Sequence, residues 1–279
     1  MSKGGAFVLR VATALIILPL MGFLIWAPQL QWLFTGFVAF LAGIGLYEYY
    51  AIVRCRQISP ETIGGILAGV LVTMSAHSHQ LSVTTFALYG GCLLVSALHV
   101  VRGQYSVAGL AASGFGIIYV GWFAGHMVLL QGVPVTGPGL VTLLIVAVAL
   151  TDAAAYVTGT LLGRHKMAPT LSPNKTCEGA MGGFVITLAG MVVFYWLSGD
   201  LMRGVLPHWT LTRYLYTGAV LSVVAQIGDL AESSMKRSAG IKDSGILFPG
   251  HGGVLDRCDG YLFAAPVLYY MVTPLFSWS

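Results

Sequence analysis

KRSAGIKDSGILFPGHGGVLDRCDG, residues 236–260, is the polar island of an otherwise apolar chain, and its contrast with the flanking sequence decides the fold. Only 9% of the 279 residues are charged and 57% are hydrophobic, above the roughly half-apolar usage of soluble domains. Yet this stretch holds Lys236, Arg237, Lys242, Asp243, Asp256, Arg257 and Asp259, spaced by glycines. Working outward from it, apolar runs recur that are long enough to cross a bilayer, which takes about 20 mostly apolar residues per helix. Nine candidates lie at 6–26, 30–53, 62–76, 81–100, 107–130, 139–162, 179–198, 212–234 and 260–278, of which the third is short and the eighth carries acids. No soluble domain fits between them. The expectation is an all-α polytopic membrane protein of about nine transmembrane helices, forming one integral membrane domain over 1–279. Its N-terminal helices occupy about 1–135 and its C-terminal half about 136–279.

Lys3 and Arg10 precede the first run, as in a signal peptide, but the run exceeds the usual h-region and lacks a small-residue cleavage site, so it reads as a retained helix. Lys and Arg set the orientation. With the N-terminus inside, the inner segments hold Lys3, Arg10, Arg54, Arg56, Arg102, Arg164, Lys166, Lys175, Lys236, Arg237, Lys242 and Arg257, and the outer ones only Arg203 and Arg213. This bias predicts a multi-pass protein of the cell inner (cytoplasmic) membrane, its C-terminus outside and the 236–260 stretch in the cytoplasm. The net charge of +4 then describes a basic inner face suited to lipid headgroups or phosphates. Nucleic acid is not implied, because no aromatic-basic groove or nucleic-acid module is present.

Cys55, Cys92, Cys177 and Cys258 lack zinc-type spacing, and three of them face the reducing side, which argues against disulfides. The pairs Gly65/Gly69, Gly121/Gly125, Gly159/Gly163 and Gly179/Gly183 fit close helix packing in lipid.

The ten acidic residues narrow the chemistry. Glu48, Glu61 and Asp200 lie near helix ends, where a solvated structural role is expected. Asp152 sits in or near the end of the sixth apolar run, where an ionisable side chain costs at least a few kcal/mol; a capping or salt-bridging role is the alternative to a functional one. Asp229, Glu232 and Lys236 share one helix face and form either an ion-pair stripe or part of a site. Asp256 and Asp259, at i and i+3, can point at one cation, and hard divalent cations take carboxylate and phosphate oxygens. Asp256 can equally pair with Arg257 or cap its helix. Lys236, Arg237, Lys242 and Arg257 suit phosphate oxygens, and Gly245, Gly250, Gly252 and Gly253 let the backbone approach a ligand. His251, between glycines, is a proton donor, a phosphate contact or a loop residue. In the second polar segment, GRHKMAPTLSPNKTCEG (163–179), Ser172-Pro173 favours a turn, and Ser172, Lys175, Thr176 and Glu178 are candidate ligand contacts, Thr176 also a candidate helix cap. Walker A, dinucleotide and nucleophile-elbow motifs are absent, so phosphate handling rests on carboxylates, metal and loop donors.

SSMKRSAGIKDSGILFPGHGGVLDRCDG, from Ser233, resembles the signature of the phosphatidate cytidylyltransferases (CDP-diacylglycerol synthases); TDAAAYVTG and LSPNKTCEG are similar to two further segments of that family. The resemblance covers about 140–270. It implies an enzyme that takes CTP and phosphatidic acid, releases pyrophosphate and forms CDP-diacylglycerol in phospholipid biosynthesis. Mg2+ is the implied cofactor, with room for a second cation; the bilayer is a partner and a homodimer stays open. Carried onto this chain, Asp229 and Asp256 match the metal-binding carboxylates, with Asp152, Asp259 and Asp243 in support, and Lys175, Lys236, Arg237, Lys242 and Arg257 hold phosphates. Cys177 and Cys258 depart from the bulky and aliphatic (or threonine) residues expected at those positions. Two other readings remain open from residues alone: a cation-coupled transporter using Asp152 and Asp229, and a cytidylyltransferase acting on an isoprenoid-ether lipid phosphate.

Overall fold

The computed structural model describes residues 19, 21–103, 105–199, 205–245 and 252–273. Among them the chain is helical apart from one short hairpin. The helices are α1 (Gln31–Arg54), α2 (Thr62–Ser75), α3 (Leu81–Val101), α4 (Val107–Gly116), α5 (Phe123–Gln131), α6 (Gly137–Leu162), α7 (Cys177–Gly199), α8 (Leu211–Ser238) and α9 (Leu255–Val272). A π-helical stretch at Ile117–Trp122 joins α4 to α5. Strands β1 (Lys166–Ala168) and β2 (Ser172–Thr176) pair antiparallel between α6 and α7, Lys166 opposite Thr176 and Ala168 opposite Ser172.

Among the described residues, six segments are long and apolar enough to cross a membrane: α1, α3, the continuous Val107–Gln131, α6, α7 and α8. This is a polytopic membrane protein. Of the first apolar run, 6–26, residues 19 and 21–26 are described and are helical, and the rest of it lies outside the described residues, as does the end of the last run. Helix α2 has 14 residues, about 21 Å at 1.5 Å per residue and short of a ~30 Å hydrocarbon core. Its large aliphatic side chains, Ile63, Leu67, Leu71 and Met74, are exposed along one stripe, while Gly64, Gly65, Ala68 and Gly69 are buried on the other. That inversion of the soluble pattern follows from the solvent: lipid gives Leu no reason to turn inward, and small residues let helices approach.

The chain divides into two compact units, Met1–Leu129 with Ser238–Cys258, and Leu130–Arg237 with Asp259–Ser279. In the first, α1 packs on α2 and on the π-helical stretch. The π-helical stretch also packs on α2, and a Cβ on Gly121 would stand 2.6 Å from the Cα of Gly69, so that crossing brings backbone onto backbone. Tyr50 donates to the carbonyl of Ser113 at 2.8 Å. Glu61, fully buried, meets Arg102 Nη1 at 2.7 Å and His99 Nδ1 at 3.8 Å. Glu48 is also buried. The expectation that these two acids are solvated is corrected: both lie under packed helix ends, where the N–H groups and cations they meet replace water.

In the second unit, α6 and α7 run together along most of their length. A Cβ on Gly183 would sit 2.6 Å from the carbonyl oxygen of Thr151 and one on Gly179 2.8 Å from that of Ala155. The hydroxyls of Thr151 and Thr187 bond across the seam at 2.7 Å. Helix α8 lies against α9, where a Cβ on Gly228 would be 2.6 Å from the carbonyl of Asp259. Ser172-Pro173, read from sequence as a turn, is instead the start of strand β2. Residues preceding proline favour extended backbone, and the reversal falls at 169–171.

Candidate active site

In the first unit the polar stretch folds over one carboxylate. Asp256 stands in the first turn of α9, and its Oδ2 accepts from the backbone N–H of Ser244 at 2.8 Å, the Ser244 hydroxyl at 2.9 Å and the N–H of Gly253 at 2.7 Å. These bonds tie two parts of the loop, Ser244 and Gly253, to the start of a helix. Gly252 has φ +81°, and a side chain there would also collide with Asp256, so this position requires glycine. Capping, the bland alternative for Asp256, is thus part of its geometry. Its neighbours Lys242, Asp243 and Arg257 are exposed. His251 and Gly250 lie outside the described residues.

Glu48, from α1, comes into this loop and was missed by the sequence reading. Its carboxylate accepts from Val254 N at 3.0 Å, Leu255 N at 2.9 Å and the Ser244 hydroxyl at 3.1 Å. The first N–H groups of a helix have no partner within it, and here Glu48 supplies one from a distant part of the chain. A side chain at Gly245 or Gly253 would collide with its oxygens. These glycines therefore make room for a protein carboxylate. The available signal was the one used for Asp152: an acid within an apolar helix, Glu48 in α1, is costly unless it has a dedicated partner.

In the second unit the last turns of α8 face the hairpin. Lys175 of β2 forms an ion pair with Asp229, and Lys236 forms one with Glu232 one turn away. The i,i+4 stripe foreseen at the end of α8 exists, but Asp229 turns from it toward β2. Arg237 Nε donates to the carbonyl of Leu171 at 3.1 Å. Asp229, Glu232 and Asp152 lie close enough to act electrostatically on Asp259, whose Oδ1 accepts from Gly260 N at 2.8 Å. Four carboxylates thus share one field, with two ammonium groups among them.

The hairpin is held at both ends. Thr176 caps α7, its hydroxyl accepting from Gly179 N at 3.1 Å. Glu178 accepts from the N–H groups of Arg164 and His165, each at 3.1 Å, and from His165 Nδ1 at 2.6 Å. Ser172 is half-buried in β2 opposite Ala168. The cysteines are free thiols, Cys55 and Cys177 exposed.

The donor set of the second unit, carboxylate oxygens only, is the chemistry a hard divalent cation takes. Among the described residues, no three His, Cys, Asp or Glu side chains are already gathered for a metal ion. Ammonium groups pair with two of the four carboxylates, Asp229 and Glu232.

The sequence profile of the cytidylyltransferase family matches residues 8–275. The chain is similar to the phosphatidate cytidylyltransferase of Brucella suis, 36% identical over 267 residues, covering 93% of this chain and 91% of that protein. The phosphatidate cytidylyltransferase of Synechocystis is 32% identical over 277 residues, with 88% and 89% covered. That of Bacillus subtilis is 32% identical over 249 residues, with 88% and 90% covered.

Proposed function

The chain belongs to the cytidylyltransferase family and transfers CMP from CTP to phosphatidate, giving CDP-diacylglycerol and pyrophosphate; from that premise we propose how its own residues carry the transfer. The observation that supports the assignment best is the half-compensated cluster of the second unit: Asp152, Asp229, Glu232 and Asp259 in one field, with Lys175 and Lys236 paired to two of them. Such a cluster can exchange partners. Triphosphate oxygens would compete for the ammonium groups of Lys175 and Lys236, and the carboxylates they leave would be able to hold a divalent cation.

Asp152, Asp229 and Asp259 would hold Mg2+, and Asp256 keeps its assignment as a metal-facing carboxylate from the DRCD segment. The ion would supply charge neutralisation at the phosphates and at leaving pyrophosphate. Lys175, Lys236, Arg237, Lys242 and Arg257 neutralise CTP and lipid phosphate oxygens, with Ser172, Gly252 and Gly253 offering hydroxyl and backbone donors. Thr176 and Glu178 act by fixing the hairpin that carries Lys175. The phosphatidate oxygen attacks the α-phosphorus, and pyrophosphate departs. No protein base is required, because the attacking phosphate is already anionic at pH 7. The Lys and Arg distribution supports a site on the cytoplasmic face of the inner membrane, with the N-terminus inside and the C-terminus outside.

The test is incorporation of labelled CTP into lipid by detergent-purified protein, wild type beside Asp229→Asn and Asp256→Asn, with and without a chelator. Activity lost in both variants, and lost with the chelator but restored by Mg2+, supports the assignment; full activity in either variant defeats it for that residue.

A further inference from the structure

We infer that Glu48 is a positioning residue for the transfer, holding Asp256 and the start of α9 in their working orientation. The inference rests on the assignment of Asp256 to the active site. Three features of the first unit carry it.

The carboxylate is buried, 4% exposed, where an unpaired charge is strongly disfavoured, and the donors that meet it all belong to one loop: Ser244, Val254 and Leu255. Two are backbone N–H groups at the start of α9, whose positive dipole end favours a carboxylate there. A Ser or Asn in the loop itself could satisfy the same N–H groups without burying a charge. A carboxylate brought from α1, 206 residues away in sequence, adds two things: a direction fixed by the helix packing of the first unit, and a negative charge close to Asp256.

The link to Asp256 is direct. The Ser244 hydroxyl stands 3.1 Å from Glu48 Oε2 and 2.9 Å from Asp256 Oδ2. A hydroxyl has one proton and two carboxylates here seek it. Positive charge brought to Asp256 weakens that oxygen as an acceptor, and Glu48 is then in place to take the proton's hydrogen bond without movement of the backbone. Glu48 therefore allows Asp256 to change its electrostatic partner while its position is kept.

The loop is also shaped to this carboxylate. Gly245 and Gly253 pass so close that a side chain on either would collide with Glu48. The glycine spacing of the polar stretch thus has a protein partner as one of its causes.

The experiment compares Glu48→Gln, Ser244→Ala, Asp256→Asn and Glu61→Gln, each purified in detergent. Glu61→Gln serves as the control, because it makes the same change at another buried acid of the same unit, paired to Arg102 and His99 and outside the loop. Glu48→Gln is expected to lower kcat by about 10- to 100-fold, the cost of misplacing a reacting group by about 1 Å, while KM for CTP stays within about threefold because the phosphate-binding cations are untouched. Amide hydrogen exchange of substrate-free protein should speed up in the peptide containing Val254 and Leu255. Ser244→Ala cuts the link to Asp256 and leaves the other two bonds to Glu48, so kcat falls several-fold, about 3- to 10-fold, with exchange at 254–255 unchanged. Glu61→Gln should lower the thermal midpoint and leave kcat near wild type.

Wild-type kcat in Glu48→Gln beside an inactive Asp256→Asn overturns the proposal. So does an equal loss of kcat in Glu61→Gln, which would mark a general effect of removing a buried acid. If Glu48→Gln does not fold, Ser244→Ala decides: a wild-type kcat there overturns the link to Asp256. An active Asp256→Asn defeats the underlying assignment, and the proposal with it.

Discussion

Replacing Gly183 with alanine tests the close packing of α6 on α7. The added Cβ would stand 2.6 Å from the Thr151 carbonyl oxygen and 3.2 Å from Ala155 Cβ. Ordinary C···O contacts in helix pairs lie at about 3.3–3.6 Å, so the helices must separate by roughly 0.7 Å at this point. The obstructing atom is backbone and cannot rotate away. Such a separation stretches the Thr151–Thr187 hydrogen bond from 2.7 Å to about 3.4 Å, near the limit for such a bond. Losing it costs roughly 0.6 kcal/mol, by analogy with hydrogen bonds between membrane helices, and the strain of overpacking adds about 1–3 kcal/mol. Helix α7 begins directly after β2, so the displacement also reaches Lys175. Gly36→Ala in α1 is the comparison, since nothing lies within 4 Å of its added Cβ; removing a helical glycine there should be neutral or stabilising by up to about 1 kcal/mol. Thermal unfolding in one detergent should therefore give a lower midpoint for Gly183→Ala and an equal or higher one for Gly36→Ala. An unchanged midpoint and full activity in Gly183→Ala would refute the packing argument.

Thr176→Ala removes the cap on α7 and should cost about 1 kcal/mol of stability, while Thr176→Ser, which keeps the hydroxyl, should lie close to wild type in the same thermal assay. Lys175→Met removes the partner of Asp229, and we expect transfer from CTP to fall by about 10- to 1000-fold, the range for losing one preorganised charge contact in a site. Lys175→Arg keeps the charge with a different shape and should retain part of the activity in the labelled-CTP assay; equal losses in both variants would point to a role for the ammonium geometry over its charge.

Much of the fold was legible because a bilayer acts on residues one at a time. Apolar runs identify helices whatever they pack against, and all nine runs meet helices among the described residues, the first and the last of them in part. The glycine pairs foretold tight crossings for a similar reason: in lipid only small residues let backbones meet. The i and i+3 spacing of Asp256 and Asp259 and the acid-rich end of α8 marked where charge concentrates. The motifs then named the family, which the cytidylyltransferase profile over 8–275 and the phosphatidate cytidylyltransferase relatives bear out.

What the sequence alone determined is the helical membrane architecture, the family and where the polar segments lie between the helices. The tertiary structure decided partners. Asp229 shares a helix face with Glu232 and Lys236, yet Lys236 pairs with Glu232 and Asp229 pairs with Lys175 of β2. Ser172-Pro173 read as a turn and lies in a strand, because the antiparallel register of the hairpin outweighs the local turn preference. Glu48 read as one more acid near a helix end, and it receives the start of α9. Composition and periodicity record the medium each residue meets. A hydrogen bond between residues 206 positions apart depends on how helices pack, and no local pattern encodes it.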